Sequence, residues 1–340
     1  MRPASRVLPL ALLSLTLLVA PAGAWIRSPA TTFATLPAGS INPEGITVDA
    51  KGNVYVTTFA PSQTPPGHLV VFDHSGHLLR QVEVDGSSNL LLGLAFHPKT
   101  GALLVLDLGG AQVLKVNPVT GASTIFATIP GGAAAGPNAL TFDGAGNVYV
   151  SDSFQGIIWR IGPNGGTPVA WVTSPLLTTA GFPPFGANGL GFNKARTALF
   201  VTNTGNDTVV KIPVSNGTAG DPVVFVNSIN GADGLILDHE DNLWVAANQA
   251  DEIVVVNPSG RVIAKLGDFD GIDPHGSPNG LLFPASLVFS GEFLYVTNLS
   301  LDLRLFGLPQ AVDSQWAAQV TRHTVAKIRA RIPPVPGLRR

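Results

Sequence analysis

Residues 43–57 read PEGITVDAKGNVYVT, and residues 137–151 read PNALTFDGAGNVYVS, so the same pattern occurs twice in the chain. Each copy has a short apolar segment, a polar turn that contains Gly and Asn, and a second segment of alternating character. Such a pattern predicts two antiparallel strands joined by a tight turn. Four further copies, of which the first and last are weaker, occur at 92–106, 187–202, 232–246 and 284–297.

A third and a fourth apolar segment follow most copies, such as VLKVNP from Val113 and STIFATI from Ser123. Six units of four strands predict an all-β fold, a six-bladed β-propeller with four-stranded blades, over residues 25–331. The last unit has no fourth segment of its own, but TTFATLP at 31–37 resembles the fourth segment of the second unit. We therefore expect the N-terminal strand to close the last blade, which removes an exposed sheet edge.

The N-terminus has the features of a secretory signal. Arg2 and Arg6 accompany an apolar run at 7–19, and a small-residue AGA sequence follows. This pattern predicts a signal peptide over residues 1–24 and a mature protein that is secreted or periplasmic, with no membrane span after the signal is removed. The proline-rich end of the chain, residues 332–340, is predicted to be a flexible tail.

The overall composition limits the classes of partner. Charged residues make up only 12% of the chain and the net charge is -2, which argues against nucleic acid as a partner. The chain contains no cysteine, so disulfide bonds do not stabilise it. A small-molecule substrate is the expected ligand, and nothing in the sequence identifies a protein partner.

One position in each repeat, the second residue of the unit, is predicted to lie at one mouth of the central channel, because the first strand of each blade lines that channel. Four of these six positions carry side-chain oxygen, and two of those four are carboxylates. Such a set suits one divalent cation, Ca²⁺ before Mg²⁺ or Mn²⁺, and does not suit zinc. The alternative is a purely structural role, because Asn and Asp at the start of a strand often form hydrogen bonds with their own turn. The positions are Glu44, Leu92, Asn138, Asn188, Asp233 and Ala285.

The sequences PEG at 43–45, PNA at 137–139, ANGL at 187–190 and ADGL at 232–235 resemble those of the senescence marker protein (regucalcin), gluconolactonase and luciferin-regenerating enzyme family, within the wider paraoxonase superfamily. The turns between strands are similar to those of NHL-repeat propellers. The resemblance covers most of the chain after the signal. The arginine with which the family binds its substrate has no counterpart here.

The resemblance implies a metal site and an activity. The metal ligands would be Glu44, Asn188 and Asp233, and Asn138 would contact the metal or the substrate. We therefore expect a metal-dependent hydrolase, similar to lactonases, that acts on a lactone or a related ester, phosphotriesters included. Asp233 would act as general base on water or attack directly, and Asn138 would orient the substrate.

Weaker candidates lie in loops. His275 and Asn279, in the connection between the fifth and sixth units, are possible accessory residues, although loop residues of these types are more often solvated or in turns. Phe182 and Phe185 are candidates for an apolar wall of the site. Two alternative functions remain open: a non-catalytic NHL-like propeller that binds a protein or glycan, and a lyase of the virginiamycin-inactivating type, whose ring has seven blades.

Overall fold

The computed structural model describes residues 27–308 and 313–332, which form a six-bladed β-propeller with four-stranded blades and almost no helix. The predicted fold class is therefore confirmed. The predicted signal peptide lies outside the described residues, as does the predicted tail apart from Ile332. Ile332 packs beside the apolar cluster of blades 5 and 6.

Each blade is an antiparallel sheet whose innermost strand comes first in the chain, and blade 4 carries one further short strand, Thr218–Ala219. The first three blades contain Pro43–Val48, Val54–Thr58, His68–Phe72 and Leu78–Glu83; then Leu91–Phe96, Leu103–Asp107, Gln112–Val116 and Ser123–Thr128; then Pro137–Phe142, Val148–Asp152, Ile157–Ile161 and Val169–Thr173. The last three contain Ala187–Phe192, Ala198–Asn203, Thr208–Ser215 and Val223–Val226; then Ala232–Leu237, Leu243–Ala247, Glu252–Val256 and Val262–Leu266; then Pro284–Ser290, Phe293–Asn298, Thr324–Arg329 and Thr31–Thr35.

The N-terminal strand closes the ring as predicted. Thr31–Thr35 is antiparallel to Thr324–Arg329 and forms the outer strand of blade 6. Phe33 stacks on Tyr295 of the same blade, with ring centroids 4.3 Å apart. Both ends of the propeller thus meet in one sheet.

The turn in the repeated sequence is built around an aspartate. Asp49 accepts hydrogen bonds from the backbone N of Asn53 (2.9 Å), from its Nδ2 (2.8 Å) and from the hydroxyl of Tyr55 (3.0 Å). Burial opposes ionisation of Asp49, but these bonds outweigh it and lower its pKa. Asp143 and Asp238 make the equivalent bonds in blades 3 and 5. The recurring Asp, Asn and aromatic residue therefore specify the hairpin.

The apolar core lies between neighbouring blades. Tyr55 and Leu69 of blade 1, for example, pack in one cluster with Leu91 and Leu103 of blade 2. The side chains on each blade face are buried against the next blade, so the ring must close before any blade is fully covered.

Two insertions depart from the repeat. A hairpin of Phe269–Ile272 and Pro278–Gly280 joins blades 5 and 6, and a short 3₁₀ helix (Leu303–Phe306) and a single helical turn (Ser314–Ala317) interrupt blade 6. Phe269 of the hairpin lies 6.4 Å from Trp316, measured between ring centroids. Among the described residues, no helix is both long enough and apolar enough to span a membrane.

Candidate metal and active site

A β-bulge places one residue of each blade in the channel. In blade 1, Glu44 and Gly45 of the innermost strand face a single residue, Thr57, of the second strand. The same shift in register occurs at the same point of all six innermost strands. A bulge of this kind redirects a side chain away from the sheet face. The residues that occupy the equivalent bulge position are Glu44, Leu92, Asn138, Asn188, Asp233 and Ala285.

Threonine hydroxyls fix three of these bulges to the neighbouring blade. In each case the hydroxyl, on the second strand of one blade, donates to the backbone carbonyl of the bulge residue in the next blade. Backbone carbonyls that the bulge removes from the ladder are thus paired, as buried backbone groups require. The pairs are Thr57 with Leu92 (2.6 Å), Thr202 with Asp233, and Thr297 with Glu44 (2.7 Å).

The residue after each bulge residue is small because the next blade lies against it. A Cβ atom on Gly45 would lie 2.3 Å from the carbonyl oxygen of Leu92, and one on Gly234 would lie 2.4 Å from that of Ala285. Real Cβ contacts are not this short, so a larger residue would displace the bulge. The small residue in the PEG, ANGL and ADGL sequences is therefore a packing requirement.

The four polar bulge residues line one cavity at the channel mouth. Their exposed fractions are only 4–5%. Thr204 and Asn248 add to the polar part of the lining. The volume of the cavity is about 40 Å³. This is enough for a few water molecules or for a cation with part of its hydration shell.

The orientation of two asparagine amides is fixed by a hydrogen-bond relay. The Ser153 hydroxyl donates to the carbonyl of Ala187 (2.6 Å) and therefore accepts from Nδ2 of Asn138 (3.1 Å). The Thr204 hydroxyl likewise donates to a backbone carbonyl (2.9 Å) and accepts from Nδ2 of Asn188 (3.0 Å). Because each amide nitrogen is held by a hydroxyl, the amide oxygens are left for the channel.

Asp233 is held in a comparable way by another amide. Nδ2 of Asn248 donates to Oδ2 of Asp233 over 2.8 Å. Oδ1 of Asp233 is buried and has no hydrogen-bond partner. One carboxylate oxygen is thus used for positioning and the other is available to a ligand.

Burial changes the acidity of both carboxyl groups. It raises the pKa of Asp233 to about 7, although the bond from Asn248 acts in the opposite direction. Burial also raises the pKa of Glu44 well above its ordinary value, and the charge of Asp233 adds to the effect. Two buried carboxylates that face each other without a cation favour the protonated form, and a bound cation would reverse that preference.

The buried oxygens without partners fit a hard cation. In the part of the chain that the structure describes, only four buried side-chain polar atoms lack a hydrogen bond, and three of them are Oε2 of Glu44, Oδ1 of Asn138 and Oδ1 of Asp233. All three are oxygen acceptors of the type that Ca²⁺ and Mg²⁺ bind. Within the described ranges no three or more His, Cys, Asp or Glu side chains are grouped so that they could hold a metal ion by themselves, and half of the present set is asparagine.

The remaining lining is apolar and was largely missed by the sequence analysis. Phe185 lines the cavity as expected, together with Pro183, whereas Phe182 does not line it and packs against the apolar cluster behind the wall. Leu301 and Leu303 enter from the insertion in blade 6, which has no counterpart in other repeats. The other apolar lining residues are Phe59, Leu92, Phe283 and Leu299.

The structure does not bring His275 or Asn279 to this cavity. Both are exposed, and neither lines it. They lie on the hairpin of Phe269–Ile272 and Pro278–Gly280, whose strands pair with each other. The connection therefore folds back on itself, and the accessory role considered for these two residues has no geometric support.

Polar residues that end the second strands bond the turns that follow them. Asp152, for example, accepts from the backbone N of Phe154 (3.2 Å) and from that of Gln155 (3.0 Å). Asn248 is different, because Ala232 pairs with Ala247 and so Asn248 lies one residue beyond this position. Its counterparts are Ser153 and Thr204, the two residues that hold the other ring amides.

Comparisons with known proteins find a related family and similar folds. Residues 184–267 match the family model described as SMP-30/gluconolactonase/LRE-like region. The resemblance predicted from the sequence is thereby confirmed. The matched segment contains the whole of blades 4 and 5, including Asn188 and Asp233. No curated protein matches the sequence.

Solved structures share the fold at low identity. A luciferin-regenerating enzyme superposes with a TM-score of 0.66 at 16% identity, over 89% of this chain and 95% of that one. A calcium-binding protein, regucalcin, from Agrobacterium tumefaciens gives 0.60 at 16% identity, over 91% and 99%. A gluconolactonase from Xanthomonas campestris gives 0.58 at 14% identity, over 82% and 96%. At these identities the similarity shows the fold alone.

Proposed function

We propose that this protein is a divalent-cation-dependent hydrolase of a lactone or a related ester, active in the periplasm or outside the cell. The observation that carries the proposal is the convergence of unpartnered, buried acceptor atoms of Glu44, Asn138 and Asp233 on one cavity. Leaving such atoms unpaired is costly, so the set is best explained by a cation that the folded chain is built to hold.

Glu44, Asn138, Asn188 and Asp233 would hold the cation. Two carboxylates balance its charge, and the two amide oxygens complete a protein set of four, so other positions stay open to water or substrate. Ca²⁺ is the first choice for such oxygen ligands, with Mg²⁺ and Mn²⁺ as alternatives. When bound, the cation would supply Lewis-acid stabilisation of the negative charge that develops on an ester carbonyl oxygen.

The protein's own residues would carry out the remaining steps. Asp233 would take a proton from the attacking water, or attack the acyl carbon itself, because it is the carboxylate whose orientation Asn248 fixes. Asn138 would orient the substrate beside it. Phe185 and Phe283 line the cavity and limit the access of bulk water.

Similarity to relatives supports the same class of reaction. The family model names gluconolactonase, and a structural neighbour is described as a gluconolactonase. Another neighbour is described as a calcium-binding protein. These descriptions belong to those proteins, and they support lactones as the first substrates to test and Ca²⁺ as the first metal.

A calorimetric titration tests the proposal. Chelator-treated protein is titrated with Ca²⁺ beside Asp233→Ala and beside Asp221→Ala, which removes one exposed carboxylate elsewhere. We expect one tight site in the wild type and in Asp221→Ala, and none in Asp233→Ala. Loaded protein is then assayed on a panel of lactones, aryl esters and phosphotriesters.

The outcomes separate the candidate functions. Binding of Ca²⁺ with turnover of a member of the panel supports the hydrolase. Failure to bind Ca²⁺, Mg²⁺ or Mn²⁺ would contradict it and favour a propeller that binds a protein or glycan without catalysis. Loss of the site in Asp221→Ala would mean that overall charge, and not the ring, governs binding.

A further inference from the structure

We infer that the substrate of this site carries an apolar chain or ring system, so that a hydrophobic lactone or ester, and not a sugar lactone, is the compound hydrolysed. The inference rests on the proposed function and specifies the substrate class. It is drawn from the supply of hydrogen-bond donors in the cavity, from the chemistry of its wall and from the rim around its mouth.

The cavity has few donors to offer to a polyhydroxylated substrate. Among the described residues that line it there is no Lys, Arg, His, Tyr or Trp. The hydroxyl of Thr204 already donates to the backbone. The amides of Asn138, Asn188 and Asn248 each commit one of their two Nδ2 hydrogens inside the protein, to Ser153, Thr204 and Asp233, so at most one N–H per amide is left for a ligand.

The unpartnered acceptors of the cavity would also be occupied once a cation is bound. The free oxygens of Glu44, Asn138 and Asp233 would then be cation ligands. Apart from the open positions on the cation and the remaining amide N–H groups, the hydroxyl groups of a sugar lactone would lose water without gaining partners in this cavity. The free energy lost when a hydroxyl is buried without a partner is larger than the net gain from one hydrogen bond. The site therefore selects against such a substrate.

The opposite side of the cavity is apolar and continuous. Phe59, Phe283, Leu299, Leu301 and Leu303 line it and belong to a single buried cluster. This side is formed by blades 6 and 1 and by the insertion, whereas three of the four polar ring residues come from blades 3, 4 and 5. A substrate with its ester group at the polar residues would place its remaining atoms on this surface.

Two aromatic pairs connect the cavity to its rim, one beside this apolar surface and one between blades 3 and 4. Phe59 lies 6.1 Å from Phe306 and Phe185 lies 5.5 Å from Phe154, measured between ring centroids. The first member of each pair lines the cavity, and the second is 44% or 43% exposed. Leu305, beside Phe306, is 58% exposed. Large apolar side chains at a cavity mouth are suited to a chain too long for the cavity.

A binding measurement tests the inference without turnover. Non-hydrolysable δ-lactams are titrated into Ca²⁺-loaded and chelated protein: one with a linear alkyl chain, one unsubstituted, and glucono-δ-lactam. We expect the alkyl lactam to bind at least about tenfold more tightly than either of the others, in line with burial of several methylenes. Equal or tighter binding of glucono-δ-lactam would overturn the inference.

An activity series provides the second test. Across lactones of increasing chain length, kcat/KM should rise by about two- to fourfold per methylene. Phe306→Ser and Phe154→Ser should reduce this increment, whereas Leu78→Ser, at an exposed position on blade 1, should leave the increment and the activity on the unsubstituted lactone unchanged. Both rim residues are exposed, so their loss should not prevent folding.

The failure of the two proposals can be told apart. Preferred hydrolysis of glucono-δ-lactone, with no dependence on chain length, would overturn the inference and support the hydrolase. Tight binding of the alkyl lactam with no hydrolysis of any lactone or ester would support the apolar site and overturn the hydrolase. If Phe306→Ser and Phe154→Ser do not change the rise in kcat/KM per methylene, the rim takes no part in substrate binding.

Discussion

The Nδ2 atom of Asn248 lies 2.8 Å from Oδ2 of Asp233, and the other carboxylate oxygen of Asp233 has no partner among the described residues. One amide thus determines which oxygen of the central carboxylate faces the ligand. Substitution of a residue that orients a metal ligand in this way commonly lowers the affinity for the metal, in some cases as much as loss of a ligand does.

Asn248→Ala should therefore weaken Ca²⁺ binding by about 10- to 100-fold, because Asp233 loses the bond that orients it. The measurement is calorimetric titration of chelated protein. Asn227→Ala, at an exposed position, is the matched control and should bind as the wild type does. Wild-type affinity in Asn248→Ala would show that the contact does not position the carboxylate.

The metal-free protein should lose stability as pH rises. Burial raises the pKa of Asp233 from 3.8 to about 7, so its contribution to folding is fully present below the unfolded value and is lost as pH rises through about 7. Urea denaturation in chelator should show a smaller free energy of unfolding at pH 8 than at pH 5. The decrease should be smaller in Asp233→Asn and in the presence of Ca²⁺. If the free energy of unfolding decreases equally in Asp233→Asn, other groups cause the pH dependence.

Thr297→Val should destabilise the ring by about 1–3 kcal/mol. The Thr297 hydroxyl donates to the carbonyl of Glu44 (2.7 Å) and accepts from the backbone N of Ser286 (2.9 Å), and valine keeps the shape without the bonds. Chemical denaturation measures the change. Thr124→Val, on an exposed outer strand, should have little effect. If Thr297→Val leaves the free energy of unfolding unchanged, the two hydrogen bonds make no net contribution to stability.

Gly234→Ala should lower both stability and Ca²⁺ affinity, because its new methyl group would lie 2.4 Å from the carbonyl oxygen of Ala285. The bulge that carries Asp233 must then shift. At Gly162 the nearest atom to an added Cβ is 3.4 Å away, so Gly162→Ala is the control. The thermal midpoint and the calcium titration are the measurements, and unchanged values in Gly234→Ala would show that the blades can move apart.

The ring of candidate ligands could be predicted because each member holds the same place in a repeat. Turn residues and alternating strands mark the start of every unit, so Glu44 and Asp233 could be aligned without knowledge of the fold. Closure by residues 31–37 was predictable for the same reason. The bulge itself was not, because it depends on how the second strand pairs, and a one-residue change in register leaves no mark in composition.

The parts of the site that could not be predicted come from outside the repeat or from exact register. Leu301 and Leu303 belong to an insertion without counterparts, so only the three-dimensional structure shows that they reach the channel. Asn248 resembles the polar residues that end other second strands, but pairing of Ala232 with Ala247 moves it one place further. His275 lies in a blade connection that forms its own hairpin, and the spacing of the repeats does not indicate that hairpin.

The bulges have a consequence for the evolution and engineering of this protein. Leu92 and Ala285 occupy the same bulge as the four polar residues, so the backbone does not require an oxygen-bearing side chain there. The scaffold therefore separates the shape of the centre from its chemistry. A carboxylate or an imidazole introduced at either position would enter the channel without a change in the backbone. Single substitutions could therefore change which cation the propeller prefers.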